Sequence, residues 1–141
     1  MKQILVFVLF AGMLCWAMFM PTYKHIIVFR QAMLQKEVDY MLEVGANASH
    51  GFVDGAAIEA SRQRLRLHGF QSERLEYFVS STNGASATDP AAPVHRGTGI
   101  ELTITYPYDG MFNIDRLIGI PVPAANSRMG ASGLKMSEYV P

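Results

Sequence analysis

The run Ile4 to Met20, ILVFVLFAGMLCWAMFM, constrains this chain before anything else, because it holds no charged residue and almost nothing polar. A helix of that composition satisfies its own backbone hydrogen bonds but offers water nothing, so its natural surroundings are lipid or other apolar helices. Its length is at the short end of what crosses a hydrocarbon core roughly 30 Å thick. It is also longer than the usual apolar core of a signal peptide, about 7–15 residues. No A-x-A pattern of small residues precedes Pro21, so the run reads as an uncleaved anchor. Cys15, the single cysteine, lies inside the run and reads as a packed or lipid-facing thiol. The order Gly12-Met13-Leu14 before it is wrong for a lipoprotein signal, and the rest of the chain can form no internal disulfide.

With residues 1–21 taken as a transmembrane segment, residues 22–141 are one domain's worth of chain, enough for a modest core. Twelve Lys plus Arg balance twelve Asp plus Glu, so no global field draws in nucleic acid, and none is expected as a partner. Lys2 lies on one side of the run; Lys24, Arg30 and Lys36 lie on the other, followed by Glu37 and Asp39. Taken literally, the positive-inside rule would keep the larger part in the cytoplasm, whereas a short N-terminal tail favours the opposite orientation. Charge alone does not choose.

Beyond Pro21 and Thr22, where the helix is expected to kink or leave the bilayer, a helical pattern resumes at Tyr23. Ile27, Leu34, Val38, Met41, Gly45 and Ala48 follow at spacings of seven, four, three, four and three, which places them on one stripe. That stripe is suited to packing on the chain's own globular part, on copies of the same helix in an assembly, or on both. Lys36, Asp39 and Glu43 fall off it and face water. If continuous, the helix runs from Ile4 to Ala48.

His50-Gly51 interrupts the pattern, and a second helix is expected from Asp54, whose carboxylate can cap the first free amides. Val53, Ala57, Ala60 and Leu67 form its expected apolar face. Arg62, Arg64 and Arg66 gather towards its end, where positive charge suits the helix dipole. Gly69 sits where a left-handed cap belongs. The arginines alternate, so they do not share a face and make a poor phosphate patch.

After Gly69 the period changes to two. Leu75, Tyr77 and Val79 alternate with Glu76, Phe78 and Ser80 in a short strand. The segment Ser81 to Arg96 is a polar loop of a length associated with mobility or function. Ile100, Leu102, Ile104 and Tyr106 against Glu101, Thr103 and Thr105 make the clearest strand, ended by Pro107 and a turn at Tyr108-Asp109-Gly110. Phe112 to Ile120 is ambiguous between a strand and a turn of helix. A last, weakly alternating strand is expected around Arg128 to Leu134. The expected fold is α+β: a long N-terminal helix, a short second helix and a small antiparallel sheet packed on the helices.

Nothing in this pattern proposes a reaction. His25, His50, His68 and His95 are dispersed over different elements and give no ligand spacing. Phosphate-loop, dinucleotide and nucleophile-elbow motifs are absent from the sequence. Asp89, Asp109 and Asp115 lack the tight spacing of a calcium loop. Tyr106 and Tyr108 read as sheet-edge packing in preference to a ligand platform. The expectation is a protein without metal or cofactor and without enzymatic activity.

The order of features resembles the TadE-like, pilin-related proteins of bacterial Tad-type pilus and type IV-like secretion systems. The resemblance is carried by AAIEASRQRLRLHGF (Ala56 to Phe70) and RGTGIELTITYPYD (Arg96 to Asp109), with LIGIPVP and the terminal MSEYVP as weaker support. It implies a single-pass cell-membrane protein with its C-terminal domain outside the cytoplasm, packed with other pilin-like subunits as a homo- or hetero-oligomer and able to enter a surface filament. Within that assembly the stripe from Ile27 to Ala48 becomes the assembly face. Pilin-like proteins typically carry a charged leader cut after Gly and an acid shortly into the mature helix. Here only Met1-Lys2-Gln3 precedes the run, and Ile4 to Met20 contains no acid. The resemblance therefore points to a membrane-retained minor or accessory subunit. The contrasting expectation is a membrane-tethered binding module that uses the 81–96 loop and the sheet edge.

Overall fold

The computed structural model describes residues 1–108, 111–124 and 126–141, without the side chains of Tyr23 and Ile114. It divides into two compact units, Met1–Ala32 and Met33–Pro141. The turn expected at Asp109-Gly110, and the Asp109 carboxylate, lie outside the described residues.

The first unit is helical and belongs to helix α1 (Lys2–Gly45). From Ile4 to Phe19 its side chains are open to their surroundings except for a half-buried Ala11. The helix continues through Pro21, which has no amide to donate to the turn before it. Beside it the Thr22 hydroxyl donates to the Met18 carbonyl at 3.1 Å, adding a side-chain bond to this stretch of the ladder.

The second unit is an α+β fold in two layers, as its hydrophobic periods predict. Its sheet has the order β1-β2-β3, all antiparallel: β1 (Glu76–Ser81), β2 (Gly99–Pro107) and β3 (Arg128–Met136). Strand pairing places Tyr77, Ile104 and Ala131 in one cross-strand row and Val79, Leu102 and Gly133 in the next. These rows, with Ile100, Tyr106 and Met129, form the inner face, and the β2 residues on it are buried. The alternation read from β2 is therefore the actual division between core and surface.

The helices cover that inner face. Leu34, Val38, Met41 and Leu42 of α1 are buried against it. The approach is close at Gly133, where an added Cβ would come within 2.9 Å of Leu42 Cδ1 and 3.1 Å of Val38 Cγ1. Gln35 Nε2 donates to the Ser132 carbonyl of β3 at 3.2 Å, and Lys135 Nζ meets Glu43 Oε1 at 2.7 Å. Helix α1 stops at Gly45, short of the expected Ala48. There Asn47 turns its carboxamide onto the Ser49 amide at 3.0 Å, a local bond that competes with further helix.

Helix α2 (Gly55–Leu67) starts where the sequence places it, with Asp54 Oδ1 accepting from the Ala57 amide at 2.9 Å. Its end is a complete Schellman motif: Gly69 N donates to Arg66 O, Phe70 N donates to Leu65 O, and Gly69 has φ +91°. The expected apolar face needs correction. The buried residues of α2 are Ser61 and Leu65, while Ala60 is exposed and Leu67 is 86% exposed. Ser61 can be buried because its hydroxyl pairs with the Tyr77 phenol at 2.9 Å, and Leu65 lies one turn further on the same face.

A 3-10 turn at Ser72–Arg74 leads into β1. The ambiguous stretch after Phe112 forms a short helix, α3 (Asn113–Leu117). Strand β3 extends two residues past the expected Leu134, to Met136, in register with Gly99.

Candidate functional site

The six residues expected to form an assembly face separate into two groups. Leu34, Val38, Met41 and Gly45 are buried inside their own domain, where they hold α1 on the sheet. Ile27, in the first unit, is half-buried, and Ala48 lies in the exposed turn after the helix end. Those four share the face of α1 that is used for intramolecular packing. The surfaces left for anything else lie elsewhere.

Between α1 and α2 an open groove is lined by Met33, Lys36, Tyr40, Leu65, Leu67 and His68, with a volume of about 310 Å³. Arg64 crosses it. The Arg64 Nε donates to Glu37 Oε1 at 2.9 Å, and its guanidinium lies 4.7 Å from the centroid of the Tyr40 ring. The hydrogen bond to Glu37 raises the Arg64 pKa above its ordinary value, against the opposing effect of burial. Beyond this crossing the groove continues as a recess of about 260 Å³, between Val44 and Gly45 of α1 and Ala57 and Ala60 of α2. Glu37, expected only as a charge following the membrane segment, is thus a buried structural acid. Its signal was available in part, since it falls on the α1 turn between Leu34 and Met41. Its partner, 27 positions away, could not be read from periodicity.

Arg62 and Arg64 of α2 are engaged as structural cations, while Arg66 is exposed. Arg62 Nη1 donates to the Ser72 carbonyl at 2.8 Å and its guanidinium lies 5.2 Å from the Tyr77 centroid. Burial raises the Tyr77 pKa, while the Ser61 hydrogen bond and the nearby arginines oppose the rise. No phosphate patch results.

The outer face of the sheet carries no covering element among the described residues. Phe78, Leu134 and Met136 stand on it, each more than half exposed, with Glu101 between Ser80 and Leu134 in the cross-strand row. Leu134 lies over Gly99, where an added Cβ would meet Leu134 Cδ1 at 2.8 Å.

The long loop is pinned along its length. Ala87 and Val94 are buried. Val53 N donates to Ala87 O at 2.8 Å, and Val94 N donates to Gly51 O at 2.7 Å. Ser137 Oγ donates to Val94 O at 2.6 Å, and Arg96 N to Tyr139 O at 2.9 Å. What remains open beside it is a recess of about 420 Å³ whose polar lining includes Asn83, Ser86, His95, Thr98 and Tyr139.

Among the described residues no group of three His, Cys, Asp or Glu side chains could hold a metal ion. Asp89 caps the Ala91 amide at 2.8 Å, and Asp115 is buried with Oδ1 lacking a hydrogen-bond partner. His50 bonds Asn47, and the His95 ring lies tilted beside Tyr139 with centroids 6.1 Å apart. Tyr106 is buried edge-on to Phe70 at 5.0 Å, and Tyr108 packs on Phe112 at 5.1 Å. Comparison of the chain with protein-family models, curated proteins and solved structures gave no match.

Proposed function

We propose that this protein is a membrane-anchored structural subunit, pilin-like in architecture, whose α+β domain lies outside the cytoplasm and takes part in a pilus or secretion assembly. One observation carries the reading. The Ile4 to Phe19 stretch exposes Phe7, Leu9, Phe10, Leu14 and their neighbours on every side of a helix long and apolar enough to cross a membrane. Leaving one such side chain in water forgoes about 1.5–3 kcal/mol, so a run of them demands lipid or other apolar helices. The Arg64–Glu37 clasp joins the two helices and the Ser61–Tyr77 bond ties α2 to the sheet, a structural use of polar groups that fits a building block better than an active site.

A protease-accessibility experiment in intact cells tests this reading. The full-length chain is expected in the membrane fraction, resistant to alkaline extraction, with residues 33–141 digested by protease added outside. A domain that stays protected until the cells are lysed would place it in the cytoplasm and remove the extracytoplasmic role.

A second reading, a membrane-tethered binding module, is favoured by the recess beside Asn83, His95 and Tyr139. That reading predicts a small polar ligand protecting the 83–98 loop from proteolysis.

A further inference from the structure

We infer that copies of this chain associate head to tail, the outer sheet face of one seated on the α1–α2 groove of the next. This inference rests on the assembly reading above and identifies the contact through which assembly proceeds. Within the globular unit the two surfaces lie on opposite sides of the two-layer fold, because both helices cover the inner face of the sheet. Each has an apolar floor: Phe78, Leu134 and Met136 on the sheet, Met33, Tyr40 and the 86% exposed Leu67 in the groove.

Charge selects the pairing. The apolar patch on the sheet adjoins Glu101, the other acid of that face, Glu76, being paired with Arg128 at 3.5 Å, while Lys36 and His68 line the groove beside the Arg64–Glu37 pair. Two sheet faces packed on each other would oppose Glu101 to Glu101. Two grooves packed on each other would oppose Lys36 to its own copy, since Arg64 is already paired with Glu37. Either arrangement brings like charges together in a partly desolvated contact, which disfavours both pairings. Sheet on groove brings Glu101 to Lys36 instead. A contact made from two different patches is heterologous, so it leaves a free patch at each end and extends into a ring or an open filament. Confinement to one membrane raises the effective concentration of neighbouring copies, so even a modest contact becomes populated.

The test uses full-length protein in native membranes, with Cys15→Ser removing the single natural thiol. Glu101→Cys and Lys36→Cys together in one chain are expected to give a ladder of disulfide-linked multimers under mild oxidation. Co-expressed chains carrying one cysteine each are expected to stop at dimers. Glu101→Lys alone should cut native multimers about tenfold or more, and adding Lys36→Glu to the same chain should restore them. Both positions are exposed, so thermal melting should match the parent chain. Dimers from Lys36→Cys alone would overturn the heterologous contact, as would the absence of a ladder while native gels still show multimers. That last outcome leaves the assembly reading intact, whereas a strictly monomeric native protein would remove both.

Discussion

Arg64 and Glu37 join the two helices through one oxygen: Nε and Nη2 of the guanidinium both donate to Glu37 Oε1, at 2.9 and 2.5 Å. The carboxylate side chain is 11% exposed and the arginine 39%. Removing one partner of a fully buried pair costs about 3–5 kcal/mol, and the open side of Arg64 reduces that here. Arg64→Ala is expected to destabilise the domain by about 1–3 kcal/mol in denaturant unfolding of the detergent-solubilised chain. The double variant Glu37→Met, Arg64→Met should lose less than Arg64→Met alone, because it leaves no stranded carboxylate.

Tyr77 supplies a pH dependence. Burial raises its phenol above the ordinary value of 10.0, so the folded state holds the proton more tightly than the unfolded chain. Its contribution to stability is complete below pH 10.0 and falls as pH rises through the folded-state value. Denaturation midpoints measured across that alkaline range should decline, and Tyr77→Phe should flatten the decline. An unchanged slope in the variant would assign the effect to other groups.

Gly45 is needed for lack of room. An added Cβ would lie 2.6 Å from Val53 Cγ2 and 3.0 Å from the Phe52 carbonyl oxygen. Gly45→Ala is therefore expected to cost about 1–3 kcal/mol, despite alanine's better helix propensity. Gly12→Ala, with nothing within 4 Å of the added methyl, should leave the melting temperature unchanged or slightly raised. Thermal scans of the two variants decide the matter.

The anchor reading predicts a strong response to charge. Phe10→Arg places a cation near the middle of the apolar run, where insertion is penalised by about 2.5–3.5 kcal/mol. The variant should shift from the alkaline-resistant pellet to the soluble or degraded fraction, followed by immunoblot. Full retention in the pellet would show that some other part of the chain holds it there.

Much of this molecule follows from local rules. Asp54 as a cap, Gly69 as a left-handed stop and the alternating β2 face each depend on residues a few positions apart, so period and turn chemistry reveal them. The buried face of α2 departs from its small-apolar pattern because a serine, Ser61, takes a core position. Ser61 is buried through a hydroxyl partner on β1, and no helical periodicity contains that information. The loop after β1 is polar in composition and long enough to suggest mobility or function, yet two apolar residues within it, Ala87 and Val94, anchor it to segments far along the chain.

The apolar run from Ile4 to Met20, the α+β class and the phase of the α1 stripe were set by the sequence itself, through patterns that act over one or two turns. The tertiary structure decided how those patterns were used. It placed Leu34, Val38, Met41 and Gly45 inside the domain, paired Glu37 with Arg64, and left Phe78, Leu134 and Met136 uncovered. A hydrophobic stripe identifies which residues want a partner. Which partner they obtain depends on competition among all apolar surfaces for burial, and folding within one chain wins wherever an intramolecular surface is at hand.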